Sequence, residues 1–272
     1  MRDFIAVRLF KEEKYADSLL NGNVHMNCLY SYGPRNYAEK NKDEKRIDFY
    51  EGSVGFYVNG DECPFFKDFP DFFRKNIKHC WIPDDDLLQY RIYCMYCLEY
   101  ENGEPIRPKE SIKSLGDYVV VISDFDEFVK RLCNKFALEW NERHILKAYL
   151  NKMSYYNLSK SKRLLPLFEK DERYADENEI RIAFAKIYVM FDEKIKQYYL
   201  DVDKTKDPYD FDIGDISDIA FKMKTEDFIN LNFPKNFTPK FGNTPKILEF
   251  IEKTKKDLEN YQPKRLRPII YI

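Results

Sequence analysis

Glycine is scarce in this chain, with nine in 272 residues. Neither a G-x-G-x-x-G nor a G-x-x-x-x-G-K run occurs, so Rossmann and P-loop nucleotide binding lack the backbone that would cradle phosphates. Histidine is scarcer: the three residues His25, His79 and His144 stand in no H-E-x-x-H context, which removes the metalloprotease signature. Six cysteines are too few for a disulfide scaffold at this length. Cys94 and Cys97, three apart in an apolar strand, point to opposite faces rather than across the tight turn that zinc pairs favour, so no metal site is expected. No apolar run approaches the roughly 18 residues of a membrane span, and no apolar leader follows Met1, so the expectation is a soluble cytoplasmic protein without a membrane partner. Lys and Arg number 45 against 47 Asp and Glu, a net charge of -2. No global field therefore steers the chain toward nucleic acid.

What is present is core-forming material: 44% apolar residues, 17% of the chain aromatic, and no linker, repeat or low-complexity tract. Periodicity predicts a strand over 4–10, with Arg8 among Phe4, Ala6 and Phe10, a helix over 11–21 stopped by Gly22, and a second strand over 24–32. Further strands are expected over 91–100, 116–122, 187–191, 196–202 and 215–223. Ser123 is placed to cap a helix whose buried stripe is Phe125, Phe128, Val129, Leu132 and Phe136. A second helical stretch is expected to follow over about 140–158, and Thr244-Pro245 to open a last helix running to about 260. The pattern is one α+β domain over 1–272, with mixed or antiparallel sheets and a helical insertion at about 123–160.

The stretch richest in chemistry is K-D-E-R-Y-A-D-E-N-E-I-R-I-A-F, residues 170–184. Alternation predicts that Glu177, Glu179 and Arg181 project to one side of a strand and Ile180, Ile182 and Phe184 to the other. Two carboxylates two apart on a strand serve one ligand from the same face. One stabilises positive charge growing at a breaking glycosidic bond, and the other orients or deprotonates an acceptor. The competing reading is a solvated strand face with a weak Glu179–Arg181 surface pair.

The segment Lys170…Tyr174-x-x-Glu177-x-Glu179-x-Arg181, with the strand-helix-strand that ends at residues 20–27 and the acidic loop Asp48-x-x-Glu51-Gly52, resembles a bacterial family known only as a domain of unknown function. More distantly the layout is similar to ADP-ribosyltransferases of the Arg-Ser-Glu type. That resemblance implies an ADP-ribosyltransferase-like fold acting on NAD, by transfer to a macromolecule or by hydrolysis, in a toxin or phage-defence setting. It implies that Arg8 contacts the cofactor, that Tyr30, Ser31 and Tyr32 line the nicotinamide pocket with Tyr174 and Arg181 nearby, that Glu179 is catalytic and that Glu177 positions the acceptor. An arginine fork suits phosphate oxygens, and a tyrosine face suits cationic nicotinamide. The Ser-Thr-Ser run of that family is absent, since the 29–32 segment reads Leu-Tyr-Ser-Tyr.

Two other readings stand beside this one. The first is a non-catalytic module of a defence or anti-defence system that binds a nucleotide or a protein. The second is a magnesium-dependent nuclease built on Asp48, Glu51, Glu177 and Glu179. The basic runs 160–163 (Lys160, Lys162, Arg163) and 264–267 (Lys264, Arg265, Arg267) offer a local nucleic-acid patch.

Overall fold

The computed structural model describes residues 2–32, 52–138, 144–157, 159–193, 196–202, 205–261 and 269–271. Asp48, Glu51 and the basic run 264–267 lie outside the described residues. The chain opens with β1 (Phe4–Phe10), α1 (Glu13–Leu20) and β2 (Asn23–Cys28). The second strand is shorter than expected, because Leu29–Tyr32 curls into a 3-10 turn. Next come β3 (Ser53–Tyr57), α2 (Asp71–Asn76), β4 (His79–Pro83), β5 (Arg91–Glu101), β6 (Glu104–Pro105) and β7 (Tyr118–Ile122). After α3 (Phe125–Leu138) lie β8 (His144–Lys152), β9 (Ser154–Tyr156), β10 (Lys162–Arg163), β11 (Glu169–Asp171) and β12 (Glu179–Asp192). The rest is β13 (Gln197–Val202), β14 (Tyr209–Asp212), β15 (Ala220–Lys224), α4 (Thr225–Ile229), α5 (Pro245–Glu259) and β16 (Ile269–Tyr271). The fold is α+β, with mostly antiparallel sheets and few helices.

The helical insertion is the main correction. Among the described residues of that span only α3 is helical, and residues 144–156 carry β8 and β9 instead. The reason lies in burial. β8 pairs with β12 along its length, and its neighbouring residues Tyr149 and Leu150 enter different apolar clusters on the two sides. A strand covered on both faces loses the alternation that distinguishes it from a buried helix. The late strand is also shorter than expected and begins at Ala220, after a turn in which Asp215 Oδ1 accepts from the Ser217 N–H.

Both long helices follow the sequence pattern. α3 buries Phe125, Phe128, Val129, Leu132 and Phe136, but Asp124 rather than Ser123 caps it, accepting from the Glu127 N–H at 3.1 Å. The Ser123 hydroxyl donates to the Ile219 carbonyl instead. Thr244 caps α5, with Pro245 in the first turn where its missing N–H costs nothing. Against α3 pack Ile180, Ile182 and Phe184 of β12, and the rings of Phe136 and Phe184 stack at 4.0 Å.

The central sheet divides at β5. One edge of β5 is taken by β12, over Arg91 to Tyr96. The other edge is shared: β1 takes Tyr96 to Glu99, while β2 takes only Arg91 and Ile92. Beyond β1 the sheet continues to β7 and β15, and beyond β2 to β14. Between the two branches Tyr93, Cys94 and Met95 have no strand partner on that edge among the described residues. Backbone polar groups seldom stay unpaired when buried. This gap is where the site described below forms.

The outer edge of β8 is covered by α5, from which Thr254 Oγ1 accepts the Leu150 N–H at 3.0 Å. Both groups are buried. Replacing Thr254 by Val leaves that donor unpaired and is expected to cost about 1–3 kcal/mol, whereas Thr254→Ser retains most of the stability. Urea unfolding of the two variants beside the parent protein measures the difference.

Candidate functional site

At the gap in the sheet lies a cavity of about 140 Å³ whose lining includes Arg8, Tyr32, Cys94, Tyr96, Lys170, Glu177, Glu179 and Arg181. Register explains most of this grouping. Glu179 lies opposite Tyr96 and Arg181 opposite Cys94 on the β12–β5 ladder, so their side chains share one face. Ile180, Ile182 and Phe184 enter the core on the other face, as the alternation predicts.

The alternation does not extend to Glu177. Residues 172–177 form a 3-10 turn, and Asn178 adopts a left-handed conformation, with φ 36° and ψ 53°, before β12 begins at Glu179. Asparagine tolerates this region better than most residues. Here Asn178 also donates from Nδ2 to the Cys97 carbonyl and accepts the Cys97 N–H on its own carbonyl. The chain therefore turns between the two glutamates and gives them different surroundings.

Glu179 is enclosed, with 4% of its surface exposed. Its Oε1 accepts from Arg181 Nε at 2.7 Å and its Oε2 from Lys170 Nζ at 2.8 Å. Tyr155 Oη accepts the Glu179 N–H at 3.0 Å. Burial works to raise the Glu179 carboxyl, but the Arg181 guanidinium and the Lys170 ammonium outweigh it and hold the group well below the usual carboxylate range. Arg181 is itself fully buried and donates from Nη1 to the Leu167 carbonyl at 2.7 Å. Leu167 presents that carbonyl from a left-handed backbone, φ 69°. The pair is thus neither a free catalytic acid nor a weak surface bridge.

Glu177 differs in every respect. Its side chain is 22% exposed, and Oε2 accepts from Lys170 Nζ at 2.9 Å, while Oε1 takes no hydrogen bond among the described residues. Burial raises its carboxyl above the ordinary 4.5; Lys170 opposes that shift and the Glu179 charge adds to it. Two residues apart, the glutamates titrate in opposite directions.

Arg8 reaches the cavity indirectly. By register its side chain leaves β1 on the Phe4 and Ala6 face, opposite to Glu179. The guanidinium folds into the gap, where Nη1 donates to the Cys94 carbonyl that no strand takes, and lies 4.9 Å over the Tyr93 ring. Tyr32 completes this wall, its hydroxyl accepting from Asn27 Nδ2 at 3.2 Å. Arg8, Tyr32, Glu177, Glu179 and Arg181 are therefore brought together.

Other expected site residues stand apart. Tyr30 lies under Lys206, whose Nζ is 3.7 Å from the ring centroid, and Ser31 is exposed on the 3-10 turn; neither lines the cavity. Tyr174 lines an adjoining cavity of about 300 Å³ that shares Leu115 and Glu177 with the first. In the run 160–163, Lys162 pairs with Glu169, and Arg163 donates to the carbonyls of Glu259 and Tyr261. These bonds engage two of its three cations.

Sequence reasoning missed the bridging role of Lys170. Its ammonium sits seven residues before one glutamate and nine before the other, and no single strand or helix puts all three on one face. The signal becomes readable only once the intervening 3-10 turn is known. No family model matches the chain, and no curated protein or solved structure gives a match either.

Replacing Glu179 by Gln leaves Arg181 and Lys170 with one buried counter-charge fewer and is expected to cost about 3–5 kcal/mol at pH 7. Because its folded value is depressed, the Glu179 contribution is complete above the ordinary 4.5 and disappears as pH falls toward the folded value. The gap between Glu179→Gln and the parent protein should therefore narrow below about pH 4. Glu177→Gln should show the opposite sign, with no loss or a gain at pH 7, since a raised carboxyl contributes below its unfolded value and loses that contribution as pH rises. Urea titrations at pH 7, 5 and 3.5 on the three proteins separate the two behaviours.

Proposed function

We propose that the cavity at the sheet gap is an active site at which Glu177 acts on NAD, breaking the bond between nicotinamide and ribose with transfer to water or to a macromolecule. The fold, on this reading, is of ADP-ribosyltransferase-like type. The observation that carries the proposal is Glu177 itself: one oxygen held by Lys170, the other without a hydrogen bond among the described residues, in a cavity that also receives Arg8, Tyr32, Glu179 and Arg181.

The chemistry follows from that placement. As the C–N bond breaks, its electron pair leaves with nicotinamide as a neutral ring, and positive charge develops on the ribose. The carboxylate of Glu177 stabilises that charge and then accepts a proton from the attacking hydroxyl. A carboxyl raised above its ordinary value is better suited to proton transfer near neutrality than one held far below it. Glu179 serves by position: it fixes Lys170, which orients Glu177. Tyr32 offers an aromatic wall to the departing ring. At about 140 Å³ the cavity is smaller than the roughly 300–1,000 Å³ of whole-ligand sites. It accepts one end of a dinucleotide, and the remainder extends outward.

The magnesium nuclease is disfavoured by charge. Lys170 and Arg181 already neutralise the two glutamates and occupy carboxylate oxygens a metal would need. Among the described residues no three His, Cys, Asp or Glu side chains come together as ligands.

Incubation with NAD labelled in the nicotinamide ring tests the proposal. The parent protein should release label, and Glu177→Gln, which keeps the shape and loses the charge, should release it about 10²-fold more slowly or worse. Equal release by both proteins, or none by the parent, removes the assignment. Binding of NAD without release would favour the non-catalytic module.

A further inference from the structure

On the opposite face of the sheet, in the wedge between the two branches, lies a second and larger cleft of about 810 Å³. One wall is the polar face of the β2–β14 ribbon. Asn23, His25 and Asn27 alternate along β2, with Asp210 directly across from His25 and Asp212 across from Asn23. The other wall is β1 and α1, contributing Arg8, Phe10, Tyr15 and Ser18. Tyr93 of β5 lies between the walls.

Two donors on residues that line this cleft are unused among the described residues. Tyr93 is 2% exposed, yet its hydroxyl is buried without a hydrogen-bond partner among the described residues. The same holds for Arg8 Nε. They are neighbours, since the guanidinium carbon lies 4.9 Å from the centre of the Tyr93 ring. Leaving a buried donor unmade costs about 1–3 kcal/mol, and two of them on neighbouring residues that line one cleft form a pair for an acceptor. Burial pushes the Tyr93 hydroxyl up to about 12, with Arg8 opposing, so at neutral pH it remains a donor. The Tyr93 hydroxyl keeps a proton to give, and Arg8 Nε can only give and belongs to a positively charged group. An oxyanion satisfies them together.

The rim has the complementary character. Asp210 and Asp212 accept, and His25 is already bound between Asp210 Oδ1 at 2.7 Å and Asn27 Oδ1 at 3.0 Å. Carboxylates at the mouth and a guanidinium at the floor do not suit a uniformly anionic ligand. They suit one with an anionic group at one end and hydroxyls at the other.

We propose that this cleft binds a phosphorylated sugar, the phosphoryl oxygens accepting from Arg8 Nε and Tyr93 Oη and the sugar hydroxyls donating to Asp210 and Asp212. The site lies on the other face of the sheet from Glu177, and the assignment does not depend on the NAD reading. Arg8 stands in the wall that separates the two sites.

Calorimetric titration with ribose 5-phosphate, ribose and inorganic phosphate tests it. The parent protein should bind ribose 5-phosphate and inorganic phosphate, with no measurable heat from ribose. Tyr93→Phe, which removes only the hydroxyl, should weaken both phosphate-bearing probes by about tenfold or more. Arg8→Lys should do the same, because it keeps the charge and loses Nε. Asp210→Asn should weaken ribose 5-phosphate and leave inorganic phosphate unchanged, and Glu177→Gln should change neither. The proposal fails if ribose 5-phosphate does not bind the folded parent protein at millimolar concentration. It fails equally if ribose binds as well as its phosphate, if both Tyr93→Phe and Arg8→Lys bind like the parent, or if Asp210→Asn leaves ribose 5-phosphate binding intact. Failure here with nicotinamide release intact separates this site from the first, and the converse result does so as well.

Discussion

A carboxylate with almost no exposed surface, gripped on each oxygen by a different cation, fixes the geometry around the sheet gap. Glu179 holds Arg181 from its own strand and Lys170 from β11, while Lys170 in turn holds Glu177 at the end of the intervening turn. The formal charges sum to zero, two positive against two negative. Enclosed charges are tolerated only when paired and bonded, and removal of Glu179 leaves the two cations it holds short of a buried counter-charge. The network thus ties three consecutive segments, β11, the 3-10 turn and β12, to one arrangement. A cavity wall built from such a network has little freedom to relax, which is what a binding or reacting group requires of its support.

The second constraint is topological. β5 serves two strands on one edge, and these diverge toward β7 and toward β14, so three of its residues have no strand partner on that edge among the described residues. The Cys94 carbonyl must still be satisfied. Arg8 does this from a strand whose side chains face the other way, by folding its guanidinium into the opening. A single side chain thereby closes a gap in the sheet and becomes part of two cavities, one on each face. Arginine is suited to the role because its fork can serve the carbonyl through one nitrogen and leave Nε directed elsewhere.

The parts of this architecture that were legible in the sequence are those governed by local periodicity. The stripe of α3, the Thr244-Pro245 start of α5 and the inward Ile180, Ile182 and Phe184 follow from spacings of 3.6 and 2. Where periodicity is erased by burial on both sides, as in β8, the same reading gives a helix in place of a strand. Where one residue changes the backbone region, as Asn178 does, the alternation continues on paper but not in space, and Glu177 leaves the strand. Lys170 and Tyr93 were illegible for a third reason. Their importance depends on contacts across the fold, with Glu177 and Glu179 in one case and with Arg8 in the other, and no local pattern encodes those. The placement of Arg8 combines both situations: its strand was plain, but its route into the gap depends on where two other strands part.

The two glutamates show why a motif does not by itself assign a role. In E-x-E the residues are chemically identical and two positions apart, and it is the resemblance to ADP-ribosyltransferases, not the pattern, that implies a catalytic part for the second. Environment makes the two unlike. The more deeply buried carboxylate would ordinarily be the one with the raised value, yet around Glu179 the Arg181 and Lys170 charges outweigh burial. Glu177 has only a share of Lys170 and also feels the negative charge of Glu179, so the smaller degree of burial is enough to raise it. The cations that make Glu179 a fixed anion act less strongly on Glu177, and the charge of Glu179 adds to the upward shift of its neighbour. A carboxyl held low and a neighbour held high are, in this arrangement, two outcomes of the same set of charges.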